Sequence, residues 1–163
     1  MQEDTQTMIP TIRKVMVTTD FSDLGNGAIP HAYSVLANRE GTVILCHILE
    51  PPALPNPLYA HYSPGGAHSP EDRERLRQGL LHALEQLVPP EVREAGRVVT
   101  EVRVVETKTP VAEAICQEAK LLGVDITVMA SHGHSGVARL FLGSVAEHVL
   151  RLADRPILVV RNG

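Results

Sequence analysis

The chain has 163 residues, 44% of them apolar and 21% charged, with a formal net charge of −4. That balance suits one globular domain with a sizeable core. No basic cluster interleaves with aromatics, which argues against nucleic acid as the main partner, and no apolar run reaches the roughly 20 residues needed to cross a bilayer. Residues 1–10 begin polar and acidic and read as a flexible tail rather than a signal peptide, leaving 11–163 as the domain. Cys46 lies in an apolar strand run and Cys116 in a helical pattern. Both read as buried thiols in a reducing cytoplasm.

Residues 15–19 read as a first strand, and 20–23 turn the chain. Ala28, Ile29, Ala32, Val35 and Leu36 then follow at helical spacing, so a helix starts near Gly27 or is kinked at Pro30. Gly25 and Gly27 imitate a dinucleotide fingerprint, but Pro30 stands where its third glycine belongs. Residues 42–48 are the second strand. The stretch 50–69, rich in Pro with Gly65 and Gly66, shows no periodicity and is expected to be a mobile lid, its Tyr59, His61 and Tyr62 available to cover a ligand. A solvated loop of no consequence is the competing reading.

Ser69 and Pro70 open the next helix, Leu76, Leu80, Leu84 and Leu87 form its stripe, and Pro89 and Pro90 stop it. Residues 97–105 are a third strand. A helix from Thr109 and Pro110 ends at Gly123, and 125–130 form a fourth strand. A loop with Gly133, Gly136 and Gly143 leads to a fourth helix, and Ile157 to Val160 is the last strand. Ser144 with Glu147 three residues on reads as a capping box. A glycine-rich loop entering a helix either binds an anion through backbone N–H groups or is a long loop with an ordinary cap. Strands alternating with helices imply an α/β fold with a parallel sheet covered on both faces.

The spacing Gly133, nine residues, Gly143 and Ser144 resembles the nucleotide-binding signature of the universal stress protein family, with Ala130 in place of its first glycine. Residues 144–150, 156–160, 17–22 and 43–48 extend the resemblance over nearly the whole chain. It implies a Rossmann-like five-stranded sheet in the order 3-2-1-4-5. Strands 1 and 4 are then neighbours at the switch point where ligands bind.

The resemblance also implies ATP, or AMP or ADP, as ligand, with Mg or Mn held mainly by phosphate oxygens. Thr18 and Thr19 would line the adenine side, the Ile48 backbone would read the base, and Asp20 would receive the ribose. Met129, Ala130, Ser131, His132, Gly133, Gly136, Gly143, Ser144 and Val145 would surround the phosphates. His132 and His134 have the spacing of a metal pair, but no further ligand stands near them in sequence, so no protein metal site is expected. A homodimer through Ile157–Val160 is expected, because no later helix covers that apolar edge, and Val160→Pro is the natural disruptor. No Walker lysine or general base stands near the glycines, so a binder with at most slow hydrolysis is expected. The alternatives are a family scaffold without nucleotide and a small hydrolase using Ser135 or Ser144.

Overall fold

The computed structural model describes residues 9–37, 39–50, 57–66, 69–132 and 142–161. In chain order the elements are β1 (Lys14–Thr18), α1 (Asp23–Asn26), α2 (Ile29–Val35), β2 (Gly41–Leu49), α3 (Pro57–Tyr62), α4 (Pro70–Gln86), α5 (Pro90–Ala95), β3 (Val98–Glu106), α6 (Val111–Leu122), β4 (Ile126–Ala130), α7 (Ser144–Leu152) and β5 (Ile157–Val160). The five strands form one sheet in the order β3-β2-β1-β4-β5, and every neighbouring pair is parallel.

Successive strand residues face opposite sides, so the apolar runs of the central strands supply two cores. Val15, Val17, Val43 and Leu45 pack with Ala28, Ile29 and Ala32 of α2 and with Leu76, Leu80 and Leu84 of α4. On the other side Met16, Ile44, Cys46 and Ile48 meet Ala112, Ile115 and Ala119 of α6 and Ala146 and Val149 of α7.

The local signals act as their chemistry dictates, with two differences. Of the start near Gly27 or the kink at Pro30, the structure has the start, with α2 beginning at Ile29 after a separate short helix α1. Ser22 caps the short α1, and Pro30 sits in the first turn of α2, where its missing N–H is not needed. Pro89 and Pro90 end α4, yet Pro90 also opens α5, which stops at Gly96 with φ 62. The second difference lies in the stretch 50–69, where Pro57–Tyr62 forms the helix α3. Its Tyr62 ring rests on α4 at Gly79, where a Cβ would stand 2.3 Å from the ring. Residues 51–56 and 67–68 lie outside the described set.

At the sheet edge, Thr127 N–H donates to Pro156 O and Ser131 N–H to Val160 O. By alternation the main-chain groups of Ile157 and Val159 face outward from β5.

Candidate functional site

Thr18 and Thr19 end β1 as buried residues, and Thr19 N–H continues the ladder to Cys46 O at 3.1 Å. Asp20 then turns the chain. Its Oδ1 accepts from Ser22 N–H at 3.0 Å and from Ser22 Oγ at 2.5 Å. Ser22 Oγ in turn accepts Gly25 N–H at 3.0 Å and so caps α1. Thr19 Oγ1 accepts Phe21 N–H at 3.0 Å and donates to Asn26 Oδ1 at 2.7 Å. These bonds hold Phe21 at φ 65, a conformation that a bulky residue adopts only where its surroundings enforce it. Asp20 is thus a turn-former, and the turn places its carboxylate beyond the end of β1.

The same turn explains Gly25. A Cβ there would stand 2.3 Å from Asp20 Oδ1 and 3.2 Å from Thr19 Oγ1. Gly25→Ala is expected to displace the carboxylate and to destabilise the fold by about 1–3 kcal/mol, an overpacking cost. Urea unfolding monitored by circular dichroism checks this.

The facing half of the crevice comes from β4 and α7. Met129 and Ser131 are buried, and Ser131 Oγ lies 3.0 Å from His132 Nδ1. His132 Nε2 is buried and has no hydrogen-bond partner among the described residues. Among described non-glycine residues only Phe21 and Ala37 have positive φ. The methyl of Ala130 therefore carries no backbone strain in the place of the signature's first glycine.

Gly143 N–H donates to Ser131 O at 2.7 Å and closes the loop onto the strand end. Gly143 is the N-cap of α7 and, as a glycine, brings no side-chain acceptor to the helix end. The capping-box reading of Ser144 is thereby corrected. Ser144 is the first helical residue, and Glu147 turns its carboxylate to Arg151 at 2.5 Å. Among the described residues no side chain accepts from the N–H groups of the first turn, Ser144 and Val145 among them. With the positive end of the helix dipole they form a donor set suited to an anion. Gly133 and Gly136, with His134, Ser135 and Arg139, lie outside the described residues.

Ile48 lies in β2 beside the end of β1. Cys46 O accepts from Thr19 in one direction and Leu49 O accepts Thr107 N–H at 3.0 Å in the other. Alternation therefore turns the N–H and C=O of Ile48 toward the side where β1 has already ended.

Sequence reasoning missed His47 and its bond to Tyr59, which the sequence offers only as a residue able to cover a ligand. His47 is 3% exposed in β2. Its Nδ1 lies 2.8 Å from Thr19 O and its Nε2 2.6 Å from Tyr59 Oη. Its ring is 4.7 Å from that of Phe21 and 5.8 Å from that of Tyr59. A lone histidine in an apolar strand gives no cue to such partners. The available signal was parity, since residue 47 shares the sheet face of Leu45 and Leu49.

Burial, reinforced by the charge of Asp20, pushes the Tyr59 phenol up to about 12. Burial likewise pushes the Cys46 thiol up to about 12, with Glu118 adding and Arg103 opposing. The ordinary values are 10.0 and 9.0, so the folded state holds both protons more tightly than the unfolded chain. Their contribution to stability is present below those ordinary values and is lost as pH rises through about 12. Stability in a urea series is expected to fall across that alkaline window. Flat stability there would contradict it.

The sequence matches the model of the universal stress protein family over residues 11–161. Universal stress protein MJ0577 of Methanocaldococcus jannaschii is 27% identical over 157 residues, which span 92% of this chain and 95% of that protein. The solved structure of MJ0577 superposes with a TM-score of 0.74 at 25% identity, covering 94% of this chain and 99% of that one. A universal stress protein solved in complex with cAMP superposes with a TM-score of 0.58 at 25% identity, covering 94% of this chain and all (100%) of that one. With the strand order and the site geometry, these matches establish that the chain belongs to the universal stress protein family.

Proposed function

We propose that the protein binds an adenine nucleotide, ATP or a shorter AMP or ADP, and acts as a homodimeric stress-response sensor in the cytoplasm. One observation carries this reading. The Asp20 turn beyond β1 and the glycine-capped N-terminus of α7 beyond β4 stand on the two sides of the sheet's switch point. Asp20 offers a carboxylate to ribose hydroxyls, the α7 N-terminus offers N–H groups to phosphate, and Ile48 offers main-chain groups to the base. The structural neighbour in complex with cAMP supports the adenine class. No group of three or more His, Cys, Asp or Glu suited to a metal occurs among the described residues. The reading has any Mg or Mn held mainly by phosphate oxygens. No described helix is long and apolar enough to cross a membrane.

Asp20→Asn tests the ribose role, because it keeps an Oδ1 acceptor for Ser22 while removing the charge. Calorimetry should show ATP affinity reduced about tenfold, the scale of a charge-assisted hydrogen bond. Equal affinities would remove Asp20 from the site.

A further inference from the structure

We propose that His47 and Tyr59 are positioning residues that tie α3 to the Asp20 turn, so that undocking α3 loosens the turn and releases the ligand. The proposal rests on the adenine-nucleotide reading for its ligand, but its structural half stands apart from it.

The hydrogen-bond chemistry admits one arrangement for neutral His47. Thr19 O can only accept, so Nδ1, 2.8 Å away, carries the proton. Nε2 is then the acceptor, and the Tyr59 hydroxyl donates to it across 2.6 Å. A single tautomer satisfies a carbonyl in the residue before Asp20 and a hydroxyl on α3. Phe21, the residue after Asp20, lays its ring on the same imidazole and is held at φ 65. His47 thus braces the turn from both sides of Asp20, and Tyr59 braces His47.

The helix needs this contact as much as the turn does. Six residues cannot sustain a helix in water without tertiary support. Leu58, Tyr59 and Tyr62 supply that support by packing against the core, with Tyr62 seated on Gly79 of α4. The Tyr59 hydroxyl is the polar link between this packed helix and the site, and its phenol senses the charge of Asp20.

Tyr59→Phe keeps the ring and deletes the link. Amide hydrogen exchange read by mass spectrometry on ligand-free protein should quicken about tenfold in residues 57–62 and by a similar factor in 19–26. Residues 43–46 should be unchanged. The dissociation rate of a fluorescent ATP analogue should rise by the same factor. His47→Asn, which retains a donor near the Nδ1 position but no acceptor for Tyr59, should reproduce both effects. Faster exchange in 57–62 with none in 19–26 would overturn the coupling, and coupled exchange with an unchanged dissociation rate would overturn the release role. Coupled exchange in a chain that binds no nucleotide would instead overturn the binding reading and leave the structural coupling standing.

Discussion

Gly143→Val is expected to lower adenine-nucleotide affinity by more than about tenfold, equivalent to about 1.4 kcal/mol. The reason is the way the loop closes. A Cβ at position 143 would stand 2.8 Å from Ser131 O and 3.4 Å from His132 Cα. Those are backbone atoms, which cannot rotate aside as a side-chain end does. The same carbonyl accepts Gly143 N–H at 2.7 Å, so relief of the clash breaks the bond that seats the start of α7 on the end of β4. Overpacking of this kind costs about 1–3 kcal/mol, and here the cost falls on the juxtaposition that builds the phosphate side. The glycine has φ −63, so the requirement is close approach and not a special backbone conformation. Ser144→Ala should weaken binding less, because Ser144 lies within the first helical turn and its N–H survives the substitution. Calorimetry with ATP checks the order, and circular dichroism confirms that the variants are folded. Unchanged affinity in Gly143→Val would move the phosphate site elsewhere.

Val159→Pro is expected to abolish a homodimer formed edge to edge through β5. Light scattering should give twice the mass of one chain for the wild type and the mass of a single chain for the variant. The sheet order leaves β5 at an edge with Ile157, Leu158 and Val159 only partly buried. An apolar edge with unpaired main-chain groups invites another strand. A twofold axis would set β5 antiparallel to its copy, and such a contact closes on itself. Val160→Pro, the disruptor suggested by the sequence, strikes the wrong side. Val160 O already accepts Ser131 N–H at 2.8 Å, so its main-chain groups face β4. The outward donors belong to Ile157 and Val159. A wild-type monomer at tens of micromolar would overturn the dimer, and a variant that remains dimeric would place the interface elsewhere.

The strands and longer helices were legible because burial on two sheet faces writes near-continuous apolar runs, and one buried helix face writes a stripe such as Leu76, Leu80 and Leu84. The sheet order followed from the family resemblance and not from periodicity. The short helices α3 and α5 escaped notice because six residues hold less than two turns, too few to show a period. The capping of α7 was misjudged by one position. Ser144 and Glu147 have capping-box spacing, and only the backbone geometry shows that the cap is Gly143. Gly25 reads in the sequence only as part of a failed dinucleotide fingerprint, and its reason, the Asp20 carboxylate 2.3 Å from an added Cβ, depends on a turn the sequence does not display. His47 joins Thr19 and Tyr59 across separations of 28 and 12 residues, and no local pattern encodes such contacts.

The proposed function requires that an adenine nucleotide sit beyond the ends of the paired strands β1 and β4. Titration calorimetry of the wild-type protein with ATP, AMP and GTP tests it most directly. The proposed site predicts saturable binding of ATP or AMP at one site per chain, with GTP weaker because the Ile48 main chain would meet the edge of the base. Absence of measurable binding for all three at millimolar nucleotide, or tighter binding of GTP than of either adenine nucleotide, would contradict it.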